Sequence, residues 1–216
     1  MKRTILALIL SAISAQAAAV PILQNTSFET NNITTTGALA YKNRITLVAA
    51  PWTFTGGAGI SRDSSDWGAI TASGDFFAFL WKTSAITQVF NSDGDYDLDF
   101  SFDLVDRTNW GTQNQVIEVL LDGTLYSSIN ATNSWTTFNL QNVAIGAGNH
   151  TLVFRGTNPQ NASDTATFLD NIRMTATARA PQNNVPEPAS LALLGLGLAG
   201  LGFSRRRKGV GRVSAT

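Results

Sequence analysis

Asp93, Asp95 and Asp97 have the alternate spacing with which an EF-hand loop begins to gather oxygen ligands for calcium. The rest of that loop is missing. Leu98 stands where the bend needs glycine, and Leu104 where a bidentate glutamate would close the cage. From Tyr96 onward apolar and polar residues alternate, so Asp97, Asp99 and Asp103 are expected on a solvated strand face. His150 is the single histidine and there is no cysteine. Any Ser-His-Asp triad would have to use His150, and thiolate chemistry, Cys-bound zinc and sites needing two imidazoles from one chain are excluded. No Gly-x-Ser-x-Gly elbow accompanies His150, which reads as a structural residue. Paired carboxylates, the apparatus of glycoside hydrolysis, stay an alternative, because sequence does not report their separation in space.

Five tryptophans offer a different chemistry, since an exposed indole can stack on the C–H face of a sugar ring. Trp52, Trp81 and Trp135 fall in or beside apolar runs, where packing is the expected role. Trp67, in Ser64-Ser65-Asp66-Trp67-Gly68, and Trp110, in Arg107-Thr108-Asn109-Trp110-Gly111, sit in polar, glycine-containing segments. They are the candidate ligand-binding residues, with burial under a loop as the competing reading.

The elements that must position these residues read as strands. Between 20 and 178 no helical period is sustained, and short apolar or alternating runs are separated by Gly, Asn, Asp, Ser and Thr. The clearest run is 96–104. Runs at 116–121 and 125–129 flank Asp122-Gly123, a dipeptide suited to a tight hairpin. Further runs at 45–48, 76–81, 86–90, 135–140, 151–154 and 167–175 bring the count near ten. The expected fold class is all-β, a two-sheet antiparallel sandwich.

Charge is segregated along the 216 residues. Fifteen basic and fifteen acidic residues cancel, yet all the acids lie between Glu29 and Glu187 with only eight bases among them, which leaves that stretch near −7. Such a body is unsuited to tracking a phosphate backbone, so no nucleic-acid partner is expected. The ends are basic and apolar instead. Lys2 and Arg3, an apolar stretch over 5–13, and the small residues of 15–19 have the anatomy of a secretory signal peptide ending at residue 19. At the other end Val185-Pro186-Glu187-Pro188 precede an uncharged segment over 189–203, then Arg205-Arg206-Arg207-Lys208. The prolines detach this segment from the body. Its fifteen positions reach about 22 Å as a helix, a short transmembrane span whose basic flank stays cytoplasmic.

This order closely resembles the PEP-CTERM sorting signal of Gram-negative bacteria. The resemblance implies Sec-dependent export, transient inner-membrane anchoring by a C-terminal transmembrane helix, and cleavage near Pro-Glu-Pro by an exosortase, followed by release to the cell surface or exterior. A plain single-span anchor is the alternative. The organisation expected is a signal peptide over 1–19, a β-sandwich over 20–178, a linker over 179–184, the sorting signal over 185–208 and a tail over 209–216.

The edges of the body, Asn25-Thr26-Ser27-Phe28-Glu29 and Phe168-Leu169-Asp170-Asn171-Ile172, resemble those of the galactose-binding-like jelly roll, a fold shared by many carbohydrate-binding modules. Pro51-Trp52, Leu121-Asp122-Gly123 and Gly148-Asn149-His150-Thr151-Leu152 add to the likeness. It implies a structural calcium between Glu29 and Asp170, with backbone carbonyls completing the shell; the alternative is that both carboxylates cap strand ends. No other cofactor is expected. The function expected is a non-enzymatic exported surface or matrix protein that binds polysaccharide, against a secreted carbohydrate-active hydrolase or a purely structural coat component.

Overall fold

The structure, a computed structural model, describes residues 20–31, 49–62, 71–108, 115–180 and 194–198. The chain divides into two units, Met1–Arg179 and Ala180–Thr216. In the second, residues 194–198 form a short helix with Leu194, Leu196 and Leu198 exposed. Among the described residues no helix is long and apolar enough to cross a membrane. The signal peptide, the remainder of the 189–203 segment and the strand expected at 45–48 lie outside the described residues.

The first unit is all antiparallel β. Its described strands are β1 (Thr53–Arg62), β2 (Phe76–Ser92), β3 (Tyr96–Asp106), β4 (Val116–Leu121), β5 (Thr124–Asn130), β6 (Thr136–Ile145), β7 (Gly148–Gly156) and β8 (Ala166–Ala178). The runs at 76–81 and 86–90, expected as two strands, are the two halves of β2. Hydrogen bonds join all eight into one sheet of order β5-β4-β7-β2-β8-β3-β6, with β1 beside β2, in place of two separate sheets.

The long strand β2 explains how one sheet encloses a core. Its first half pairs with β8 as far as Trp81↔Ala166, and its second half pairs with β7 from Ala85↔Arg155. Between them Lys82 has φ 54°, a left-handed conformation that turns the strand. The bend is held from outside, since Lys82 N–H donates to Thr165 O at 3.0 Å and Gln115 Nε2 donates to Lys82 O at 2.6 Å. One half-sheet is therefore β1-β2-β8-β3-β6 and the other β1-β2-β7-β4-β5, with β1 and β2 at their shared corner.

The halves face each other across aromatic side chains. Phe102 on β3 meets Phe154 on β7 edge-on at 5.1 Å, although these strands are not sheet neighbours. Leu98, Leu104, Ile117, Leu152 and Leu169 join this core, all nearly without solvent exposure. A smaller cluster of Phe77, Phe79, Val105, Ala166 and Phe168 occupies the opposite face of the β2-β8-β3 region. That second burial accounts for strands with few polar positions on either side.

One expectation for β3 is corrected. Asp97 is half-buried and Asp99 exposed, but Asp103 is buried. Its carboxylate accepts Thr137 Oγ1–H at 2.5 Å and Asn171 Nδ2–H at 2.8 Å. The register slips between Ser101 and Asp103 against β8, which carries Asp103 into partnership with neighbouring strands rather than with solvent.

Candidate functional site

The opening and closing motifs meet. Asn25 and Phe28 both adopt positive φ, so the chain turns sharply there. Phe28 is fully buried against Trp52, their rings 5.6 Å apart. The Trp52 indole N–H reaches back to Gln24 O and Asn25 O at 3.1 and 2.9 Å, fixing the turn from below. Ile172 N–H then donates to Thr26 O at 3.0 Å and ties the turn to β8. Glu29 and Asp170, 141 positions apart in the chain, are thereby held over the same segment.

That segment is the turn leading into β2. Asp170 Oδ2 accepts the N–H groups of Ala72 and Ser73 at 3.0 and 2.8 Å, while Oδ1 accepts Asn171 N–H at 2.6 Å. Glu29 Oε1 accepts the N–H groups of Asp75 and Phe76 at 3.1 and 3.0 Å. Gly74, at φ +69°, lies so close to the Glu29 carboxylate that any side chain there would collide with it. Asp170 has no exposed surface, and burial first, then repulsion from Glu29, push its pKa up to about 7 despite the three N–H donors.

Two carboxylates close enough to repel, one of them fully buried, form a donor set that a hard divalent cation would relieve. Calcium requires six to eight oxygens. Among the described residues no third Asp, Glu or His joins the pair in a metal-holding group, so the remaining ligands would have to be main-chain or amide oxygens. The carboxylates already do the work of the alternative reading by capping the amides of Ala72, Ser73, Asp75 and Phe76. The Asp93, Asp95 and Asp97 series forms no such group either. Tyr96 Oη–H lies 3.4 Å from an Asp93 carboxylate oxygen, and Asp97 lies 3.6 Å from the Arg179 guanidinium.

His150 bridges two turns. Its Nδ1 lies 2.7 Å from Asp122 Oδ2 and its Nε2 3.0 Å from Gly146 O, while Asp122 Oδ1 accepts Thr151 N–H. The Asp122-Gly123 turn has φ of 52° and 78°, as a tight hairpin requires. With both ring nitrogens engaged by the fold, this imidazole has the geometry of a brace.

Among the tryptophans, Trp52 is core. Trp81 carries the Lys82 ammonium over its ring at 4.4 Å, packs over Gly57, and donates its indole N–H to Asp164 Oδ1 at 2.8 Å. Arg107 donates to the same carboxylate at 3.1 and 3.2 Å. Trp135 is half-buried against the smaller apolar cluster. Trp67, Trp110 and the sorting residues Val185, Pro186, Glu187, Pro188, Arg205, Arg206, Arg207 and Lys208 lie outside the described residues. The Arg107–Asp164–Trp81 group and the buried Asp106, which accepts Thr167 Oγ1–H at 2.7 Å, gave no sign in the sequence, because their partners are 57 to 83 positions away.

Residues 184–208 match the PEP-CTERM protein-sorting motif. No curated protein matches the chain. Among solved structures, the carbohydrate-binding module TmCBM61, determined in complex with beta-1,4-galactotriose, is similar at TM-score 0.51 and 12% identity, covering 72% of this chain and 97% of that one. The Stig cyclase Fisc from Fischerella sp. TAU is similar at TM-score 0.53 and 16% identity, covering 76% of this chain and 100% of that one. At TM-score 0.39 and 12% identity, with 57% and 98% covered, the likeness to a CBM36 module solved with calcium and xylotriose is too slight to bear on this chain. The chain thus carries a PEP-CTERM sorting motif at its C-terminal end, and its body has a fold similar to that of carbohydrate-binding modules.

Proposed function

We propose that the chain is an exported, non-enzymatic surface or matrix protein, processed by an exosortase at its C-terminal end, whose β body binds polysaccharide. The sorting motif at 184–208 carries the first part of this reading. The likeness of the body to a module solved in complex with beta-1,4-galactotriose supports the second. Fold alone does not decide between binding and catalysis, since a cyclase shares it. The charge near −7 between Glu29 and Glu187 favours neutral over anionic glycans. Trp67 and Trp110 are the proposed stacking platforms.

The test is retention of the exported protein on affinity gels containing neutral polysaccharides. Binding through stacked rings should change little with added salt, which screens charge and leaves short-range contact intact. Trp110→Ala should weaken retention at unchanged melting temperature. Release of reducing sugar from a retained glycan would establish the hydrolase instead, and failure on every gel at low and high salt would leave the structural coat component. A structural calcium at Glu29 and Asp170 is the second reading, favoured by the repulsion between the two carboxylates.

A further inference from the structure

His150 sits where the chain passes between the two half-sheets. Strand β6 pairs with β3 in one of them, β7 pairs with β2 and β4 in the other, and residues 146–147 carry the chain across. Near the start of β7 the imidazole is buried, at 8% exposure, with the Phe90 ring of β2 5.6 Å away. Its Nε2 lies 3.0 Å from the carbonyl oxygen of Gly146 in that crossing, and its Nδ1 2.7 Å from Asp122 Oδ2 in the β4–β5 turn. The preceding carbonyl, that of Ile145, accepts from the Arg179 guanidinium at the end of the body. Two successive carbonyls at the crossing are therefore held by basic side chains, one of a type that is always charged and one of the type that changes charge between about pH 5 and 8.

Both partners of the ring are acceptors. A main-chain carbonyl has no hydrogen to give, and Asp122 Oδ1 already accepts Thr151 N–H at 2.8 Å, so this carboxylate accepts on both oxygens. Only the imidazolium, with hydrogen on both nitrogens, donates to Asp122 and Gly146 at once. A neutral ring has one N–H and must turn a lone pair on the other acceptor. The carboxylate is the stronger acceptor, so the hydrogen stays on Nδ1 and the contact to Gly146 is the one lost. Among the described residues the other ionisable groups at this end are Asp93 and Asp95 of the β2–β3 turn, Tyr96 and Asp97 of β3, and Arg179, whose Nε lies 3.6 Å from Asp97. Asp95 Oδ1 would lie 3.7 Å from a Cβ placed on Gly146.

We infer that His150 is a proton-operated clasp across the join of the half-sheets: charged, it ties the β4–β5 hairpin to the β6–β7 crossing, and neutral, it keeps Asp122 and releases Gly146. The Arg179 tie to Ile145 persists in both states, so release loosens residues 146–148 and leaves the strands paired. The clasp depends on neither glycan binding nor calcium.

Because the chain has a single histidine, its ring resonances are read without overlap. Nitrogen resonances of the isotope-labelled exported protein should show hydrogen on both ring nitrogens at pH 5 and on Nδ1 alone at pH 8. Over the same range the backbone order parameters of 146–148 should drop from about 0.85 to about 0.6 or less. Asp106 and Asp170 also change charge in this range, with pKa values of about 6 and about 7. His150→Gln separates them from the ring, since it leaves both carboxyls in place and should abolish the change at 146–148. Asp122→Asn, which offers a neutral acceptor, should remove the preference of the neutral ring for hydrogen on Nδ1. The unsubstituted chain gives a reading that does not depend on a variant folding. A ring with one hydrogen at pH 5, a ring of unchanged charge from pH 5 to 8, a neutral ring carrying its hydrogen on Nε2, or order at 146–148 indifferent to the charge of the ring would overturn the inference.

Discussion

Below about pH 7 the fold favours the protonated form of Asp170, because burial raises its pKa. Its pKa is about 7 in the fold against 3.8 for the unperturbed group, and that of Asp106 is about 6, both raised first by burial. Between about pH 4 and 7 the folded chain binds more protons than the unfolded one, so this stabilisation is complete below pH 4 and lost as pH rises through the folded values. In chelator the melting temperature should fall from pH 5 to pH 8. Asp170→Asn should reduce that slope to the share left by Asp106, at a cost of about 1–3 kcal/mol because its amide would face N–H donors. A bound calcium replaces the proton, so millimolar calcium at pH 8 should restore the melting temperature of the unsubstituted chain but not of Glu29→Gln. Identical curves in chelator and calcium would remove the ion from Glu29 and Asp170 and leave them as turn caps. Sequence resemblance paired these two residues, but it could not reveal the amides of 72–76. A backbone N–H has no residue identity to read.

Strands were legible wherever local chemistry specified them. β4 was found at its observed bounds, and the β4–β5 turn was readable from Asp122-Gly123 because positive φ has a compositional signature. β1 was missed beyond its entry at Trp52, since Thr53–Arg62 contains three glycines and resembles a loop. The reason for one of them lies on another strand: a Cβ on Gly57 would sit 2.7 Å from Trp81 Cε3 and 3.0 Å from Trp81 O. The division of β2 into two runs had a similar origin, because the Lys82 bend is imposed by Gln115 and Thr165 rather than by its own neighbours. Gly57→Ala should therefore destabilise the body by about 1–3 kcal/mol in urea unfolding. Gly146→Ala, whose added methyl group would meet nothing nearer than an Asp95 oxygen at 3.7 Å, should cost much less. Equal losses would show that Trp81 yields and that β1 is not specified by this contact.

Across the whole molecule, the body and the ends obey different rules. The body is encoded by alternation and long-range pairing, which sequence conveys only in outline; the two-sheet expectation captured the facing layers but not the continuous β2 that joins them. The C-terminal signal is encoded by linear order, a proline pair, an apolar run and a basic cluster, and its match spans 184–208. Linear order can be tested without knowing a fold. The prolines separate the signal from the last strand, and the Arg205–Lys208 charges resist transfer across the membrane, so deleting residues 205–208 should leave Sec export intact yet disturb membrane orientation and processing. Glu187→Ala leaves the apolar run and its anchoring charges untouched, and should accumulate an inner-membrane precursor with its body folded outside. Fractionation with intact-mass measurement reads both outcomes, since the proposed cleavage near Pro186–Pro188 would remove the apolar run and the basic cluster together. Protein recovered outside the cell with residues 191–208 still attached would sink the processing step, whereas uncleaved wild-type protein held entirely in the membrane fraction would make a plain anchor the better account of this end of the chain.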